Sequence, residues 1–170
     1  RRSSDLKASL KINEIYGNFE IKVKEKFDNS PVTNADIESN KIIIQQLEKH
    51  FKNCTIISEE NTKKILFNKN DFFLVDPLDG TKEFINKNSE FTVNIALIKN
   101  FVPVLGVVGV PAKSLIYLSD GENSYKFSNH QKTKINIKKK NKLINLVSRS
   151  HIDEKTRDFI KEFPEMRTLK

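Results

Sequence analysis

The chain has 170 residues, 37% hydrophobic and 31% charged, which is enough apolar material for one sizeable core and favours one domain over disorder. Its single cysteine, Cys54, excludes an internal disulfide and a cysteine-built zinc cage, and is read as a small buried hydrophobe in a reducing compartment. The formal net charge of +8 attracts anions, and no apolar stretch approaches the ~20 residues of a membrane span.

The chain begins Arg1-Arg2-Ser3-Ser4, and its only methionine is Met166, so a piece of a longer protein is expected. Leu6, Leu10, Ile12, Ile15 and Tyr16 recur at roughly helical spacing and predict an opening helix that Gly17 and Asn18 can end. "FEIKVK" (19–24) alternates apolar and charged residues and reads as a half-buried strand, followed by the polar loop "KFDNSP". "VTNADIESNKIIIQQLEKHF" puts Ile37, Ile44, Leu47 and Phe51 on one helical face. Thr33 is its expected N-cap, with Asp36 in capping-box position.

"TIISEE" reads as a short strand ending in acid, 61–70 as a polar loop or exposed helical turn, and "FFLV" as a central strand. "FTVNIALI" and "VPVLGVVGVP" give two strands around a Lys-Asn turn; "SLIYLS", "DGEN" and "SYKF" give a hairpin. "TKINI" and "LINLVS" read as strands on either side of a lysine run, and "DEKTRDFIKEF" as a closing amphipathic helix. Phe19, Phe27, Phe51, Phe72, Phe73 and Phe84 lie in apolar or periodic contexts and read as core. The sum is an α+β layered domain, two N-terminal helices on a mostly antiparallel sheet.

Three acidic stations stand near the ends of these elements: Asp36, the pair Glu59 and Glu60, and Asp76 with Asp79 in "DPLDG". Each alone has a plain account, as a capping acid, a solvated loop or a turn. Together, two of them directly follow apolar strands, where carboxylates repel one another and lose hydration unless a cation sits between them. In "DPLDG", Pro77 sets the chain direction and Gly80 permits a tight turn, so both aspartates and the Leu78 carbonyl can face one side. Oxygen ligands of this kind suit Mg²⁺. With Glu59 from a neighbouring strand, two ions ~3.5–4 Å apart could clamp a displacement at phosphorus. Gly80, Thr81 and Lys82 would open a short helix whose N–H groups favour phosphate. The Thr81 hydroxyl could hold the attacking water, with Asp36 accepting that hydroxyl's proton.

"SPVTNAD", "IISEE" and "VDPLDGTKEFI", in this order and at these separations, resemble the Mg²⁺-dependent, lithium-sensitive phosphatase superfamily of inositol monophosphatase. "DPLDGTKEFI", "EFTVNIALI" and "PVLGVVGVP" are similar to its 3′(2′),5′-bisphosphate nucleotidases. Inositol monophosphatases typically continue the motif as DGTTNF and fructose-1,6-bisphosphatases as DGSSN, where this chain has Lys82-Glu83-Phe84.

The resemblance implies an inositol monophosphatase-like sugar phosphatase fold, with 1–170 as its N-terminal metal-binding domain and the family's C-terminal α/β part absent. It implies Glu59, Asp76 and Asp79 as metal ligands with Leu78 through its carbonyl, and Asp36 and Thr81 as the water-activating pair. Glu59, Leu78, Asp79, Gly80 and Thr81 would bind substrate, joined by His151 of "SRSH", whose other reading is an ordinary surface histidine. Two or three Mg²⁺ ions are implied, with Mn²⁺ as a substitute and Li⁺ as inhibitor. The family's further metal-binding aspartate, in a W-D-x-A-type motif, has no counterpart in a chain without tryptophan. An incomplete site with weak turnover is therefore expected.

Gln131 to Lys142 holds six lysines without an interleaved aromatic, which is a solvated turn before it is a nucleic-acid surface. The implied activity is removal of the 3′-phosphate of 3′-phosphoadenosine 5′-phosphate to give AMP, in the cytoplasm or at the inner face of its membrane. Inositol monophosphatase or fructose-1,6-bisphosphatase activity, or an inactive binding fragment, are the alternatives. The sequence is silent on oligomeric state.

Overall fold

The computed structural model describes residues 2–17, 21–26, 30–61, 70–129, 131–137, 144–149, 152–164 and 166–169. The chain forms two compact units, Arg1–Ile135 and Asn136–Lys170. Among the described residues no helix is long and apolar enough to cross a membrane.

In the first unit, helices α1 (Arg2–Gly17) and α2 (Asn34–His50) cover one face of a seven-stranded sheet. The stripe that α1 buries is Ala8, Ile12 and Ile15, spaced four and three residues apart as a helix requires. Leu6 and Leu10, expected on that stripe, are instead exposed, because they flank it. On α2 the buried line is Ala35, Ser39, Ile43 and Leu47; Ile37, two residues from both Ala35 and Ser39, is turned outward, against expectation. The α2 start is as read: Thr33 Oγ1 accepts from Ala35 N at 3.1 Å, and Asp36 Oδ2 accepts from Thr33 N at 2.7 Å.

The short antiparallel ribbon of β1 (Val23–Glu25) and β2 (Pro31–Thr33) lies between the helices in sequence. All of β1 is exposed, and in the described part of "FEIKVK" Ile21, just ahead of the strand, is the residue that packs against the core; residues 18–20 and 27–29, with Phe19 and Phe27, lie outside the described residues.

The main sheet runs in the order β3 (Thr55–Ser58), β4 (Phe72–Asp79), β5 (Thr92–Lys99), β6 (Val102–Val110), β7 (Leu115–Ser119), β8 (Ser124–Ser128) and β9 (Gln131–Ile135). β3 and β4 are parallel and every later pair is antiparallel. Residues 62–69 of the β3–β4 connection lie outside the described residues. Asn100 and Phe101, both at positive φ, make the tight β5–β6 turn that matches strand twist.

Period-two alternation sends Phe73, Val75, Val93, Ile95 and Val107 into the core shared with α1 and α2. The opposite face carries the rows Leu74–Ala96–Gly106 and Asp76–Asn94–Val108, and Leu74 there is 48% exposed. β9 forms two residues earlier than "TKINI" suggests and leaves Ile137 exposed, since an edge strand covers no core. Cys54 is half-buried, its Sγ 3.7 Å from the Thr55 carbonyl.

The second unit pairs β10 (Ile144–Leu146) with β11 (Arg167–Leu169) in parallel, around helix α4 (Glu154–Lys161). Asp153 caps α4 by accepting from Thr156 N at 2.8 Å. The expected helix is present, but it does not close the chain. β11 follows it, a three-residue strand too short and too polar to show a period.

Between β4 and β5 a single helical turn, α3 (Thr81–Ile85), is pinned by rings. Phe84 and Phe91 are buried with centroids 5.1 Å apart, and Tyr16 of α1 meets them at 5.2 and 4.9 Å. Removing one ring should loosen α3 and the core together. Phe91→Ala is expected to cost ~3–5 kcal/mol in urea unfolding with an unchanged denaturant slope. A loss below ~1 kcal/mol would show that the rings do not anchor this turn.

Candidate active site

In a regular strand Asp76 and Asp79, an odd number of residues apart, would point to opposite faces. The β4 ladder resolves this. Asp76 stands opposite Asn94 and Asp79 opposite Thr92, so β4 spends three steps where β5 spends two. That extra residue is a bulge, which returns both carboxylates to one side. "DPLD" is thus the bulged end of a strand rather than the turn it resembles, and Pro77, which has no N–H to donate, suits such a place. Ser39 Oγ, buried on α2, donates to the Pro77 carbonyl at 2.7 Å, and Leu78 N donates to Asp76 Oδ1 at 3.2 Å. Only Gly80 turns the chain, at φ 89°; a Cβ there would lie 2.8 Å from the Glu90 carbonyl oxygen.

Past that turn, Thr81 Oγ1 lies 3.1 Å from Asp36 Oδ1 and 3.2 Å from the Leu78 carbonyl. The hydroxyl has one proton, so it donates to one of them at a time. Asp36 is 1% exposed, and its other oxygen, Oδ2, receives both Thr33 N at 2.7 Å and Thr33 Oγ1 at 2.6 Å. The capping role and the Thr81 contact therefore occupy different oxygens of one carboxylate. Burial raises the Asp36 pKa above the ordinary aspartate value, against the hydrogen bonds from Thr33 and Thr81.

Glu59 N donates to Val75 O at 3.1 Å, extending the β3–β4 pairing one step and setting Glu59 beside Asp76. Their side chains share a hydrogen bond. Burial, then the charges of Glu59 and Asp79, push the Asp76 carboxyl up to about 7. Lys26 Nζ reaches this cluster, 2.7 Å from Glu59 Oε1 and 2.7 Å from Glu60 Oε1. Burial works against its ammonium, but the hydrogen bonds to Glu59 and Glu60 outweigh it and raise the Lys26 pKa.

As the side chains stand, no group of three or more Cys, His, Asp or Glu among the described residues is gathered to hold a metal. The donor set nonetheless fits a hard divalent cation: carboxylates and a carbonyl only, with a half-buried acid pushed upward by burial and by its acidic neighbours, and an ammonium drawn to Glu59. Glu59, Asp76 and Asn94 also line one wall of a cavity of about 580 Å³, with Ile57, Leu74 and Val108.

Of the residues expected in the site, Thr81 meets Asp36 and the Leu78 carbonyl, Glu59 stands beside Asp76 on the adjacent strand, and Asp79 and Gly80 follow across the bulge. His151 lies outside the described residues. Two contributors went unread. Lys26 is one of many lysines in a basic chain, and nothing local marks it. Asn94 does carry a signal, an amide inside the apolar alternation of "FTVNIALI".

The inositol monophosphatase family matches over residues 2–168, and the chain belongs to that family. Among curated proteins it is 41% identical over 145 residues to "3′(2′),5′-bisphosphate nucleotidase CysQ" of Buchnera aphidicola, covering 84% of this chain and 55% of that protein. The Escherichia coli (strain K12) protein of the same name is 36% identical, at 92% and 65% coverage. The chain thus spans between half and two-thirds of the length of these relatives. The crystal structure of CysQ from Bacteroides thetaiotaomicron, described as a bacterial member of the inositol monophosphatase family, superposes with a TM-score of 0.80 at 32% identity, covering 97% of this chain and 69% of that one. A Thermotoga maritima IMPase, at TM-score 0.78 and 24% identity over 98% of this chain and 65% of its own, shares the fold.

The Asp76 shift has a definite sign. Its folded pKa, about 7, is raised above the unfolded value of 3.8, so its favourable contribution is complete below about pH 4 and is lost as pH rises through about 7. In chelator, Asp76→Asn should therefore flatten the fall in melting temperature across this window and melt above the parent at about pH 8. A variant with the parent's slope would contradict the assignment.

Proposed function

We propose that this chain is the metal-binding part of a phosphomonoesterase that removes the 3′-phosphate of 3′-phosphoadenosine 5′-phosphate, giving AMP and phosphate. The observation that carries the reading is the Thr81 hydroxyl, 3.1 Å from Oδ1 of a buried Asp36 carboxylate whose Oδ2 already accepts two hydrogen bonds, and adjoining the Asp76/Asp79 bulge. The names of the Buchnera and E. coli relatives support the substrate class. So does Lys82-Glu83-Phe84, which stands where inositol and fructose phosphatases carry other residues.

Glu59, Asp76, Asp79 and the Leu78 carbonyl would hold Mg²⁺. When bound, two or three such ions would lower the pKa of a water and offset charge at the phosphate, with Mn²⁺ substituting and Li⁺ inhibiting. The protein's own part is positioning and proton handling. Asp36 Oδ1 accepts the Thr81 proton, which leaves Thr81 Oγ1 as acceptor for a proton of the attacking water. Burial makes Asp36 the stronger base for that purpose. Because Thr33 immobilises Oδ2, only Oδ1 is directed at Thr81. The first-turn N–H groups of Gly80 and Thr81 have no partner within α3 and suit the phosphate oxygens. Attack at phosphorus breaks the bond to the 3′ oxygen, which leaves with one proton from solvent.

The additional length of the relatives would supply the rest of the nucleotide pocket and a further metal ligand, with His151 as a substrate contact. A small nucleotide rather than nucleic acid, and a cytoplasmic setting, complete the reading.

Phosphate release from 3′-phosphoadenosine 5′-phosphate with Mg²⁺ tests it, comparing the 170-residue chain with one extended to the relatives' length. The shorter chain should turn over weakly. In the longer one, Asp76→Asn should abolish Mg²⁺-dependent release. Thr81→Ala should lower kcat by about 10²–10⁴-fold with divalent-ion affinity nearly unchanged. Normal release by Asp76→Asn would refute the metal site; equal activity of the two chains would refute the division of labour.

A further inference from the structure

Asn94 is an odd residue for its position. It sits mid-strand in β5 between Val93 and Ile95, both turned into the core, while asparagine is depleted from strands and an amide in apolar surroundings is costly without partners. Its side chain instead occupies the open face, half-buried, in the row Asp76–Asn94–Val108. Directly across from it is Asp76; diagonally, past the bulge, is Asp79, to whose Oδ2 the Asn94 Nδ2 donates at 3.3 Å. It lines the same cavity wall as Glu59 and Asp76.

We propose that Asn94 is a positioning residue for Asp79. By binding Oδ2 it fixes the carboxylate's rotation and leaves Oδ1 directed at the cation. This rests on the metal-site reading above and adds to it a residue with no charge of its own. The chemistry favours an amide over the alternatives. A carboxylate at 94 would add a further repulsion beside Asp76 and Asp79. A lysine would neutralise them and take the cation's place. A neutral donor orients Asp79 and leaves its charge for the metal. Hydrogen-bond partners of metal ligands typically alter affinity by 10–100-fold, and this exposed 3.3 Å contact belongs at the lower end.

The test is Mn²⁺ binding by the 170-residue chain, read from the free-ion EPR signal, with melting in chelator measured in parallel. Asn94→Leu, of similar volume and without a donor, should weaken Mn²⁺ about tenfold while melting in chelator at or near the parent's temperature. Asn94→Thr, a good strand former whose hydroxyl is too short to reach Asp79, should weaken it similarly and covers the case of a poorly folded leucine variant. Val108→Ala, in the same row and cavity, should bind as the parent does. Parent-like affinity in both Asn94 variants would overturn the proposal, as would equal weakening by Val108→Ala, which would signal general loosening. If the parent itself binds no Mn²⁺, the metal-site reading fails and this one with it, a result distinct from failure at Asn94 alone.

Discussion

The constraint that organises this molecule is mutual repulsion among carboxylates at the half-buried end of the β3–β4 pair. Glu59 and Asp76 lie on adjacent strands, Asp79 follows across a bulge, and Asp76 is pushed up to about 7 by burial and by those two neighbours. Nothing in a stable core benefits from that arrangement. Replacing such groups with apolar side chains would relieve it, so its retention points to chemistry rather than packing. Lys26, 2.7 Å from both Glu59 and Glu60, supplies a positive charge from the far side of the cluster. Relief by an ammonium is partial, because its ion pairs are with Glu59 and Glu60.

Local geometry elsewhere serves to hold that strain in place. The buried Ser39 hydroxyl grips the Pro77 carbonyl, the Phe84–Phe91–Tyr16 rings hold α3, and Gly80 makes a turn that a Cβ would block. Asp36 ties the N-terminus of α2 to the start of α3 by using its two oxygens separately, one for the helix cap and one for Thr81. The same carboxylate thus has a structural side and, on the proposed reading, a chemical one. The cap would supply the rigidity that the proposed proton acceptor needs.

Legibility in the sequence followed the range of the interaction concerned. The α2 cap, the β5–β6 hairpin and the approximate place of every strand in the main sheet were readable, since caps, turns and alternation act over a few residues. The acidic stations were readable as motifs. Which side Asp79 faces was not, because that depends on a bulge defined against β5. Leu6, Leu10 and Ile37 were misplaced for a similar reason: several apolar stripes fit each helix, and only contact with the sheet selects one. In the described part of "FEIKVK" Ile21 packs inward ahead of a strand that is itself exposed, and β11 is defined by its pairing with β10. Lys26 could not be told from the other lysines of a +8 chain, as its meaning lies in Glu59 and Glu60, more than thirty residues away. Asn94 was visible as an anomaly and acquires a sense only beside Asp79.

The central claim, that Glu59, Asp76 and Asp79 are arranged around a divalent cation, is tested most directly by locating one. Anomalous scattering at the manganese edge from crystals grown with Mn²⁺ should show density bounded by Glu59, Asp76, the Leu78 carbonyl and Asp79, with the Lys26 ammonium displaced from Glu59. A map without a peak there, with Lys26 still paired to Glu59 at saturating Mn²⁺, would contradict the account.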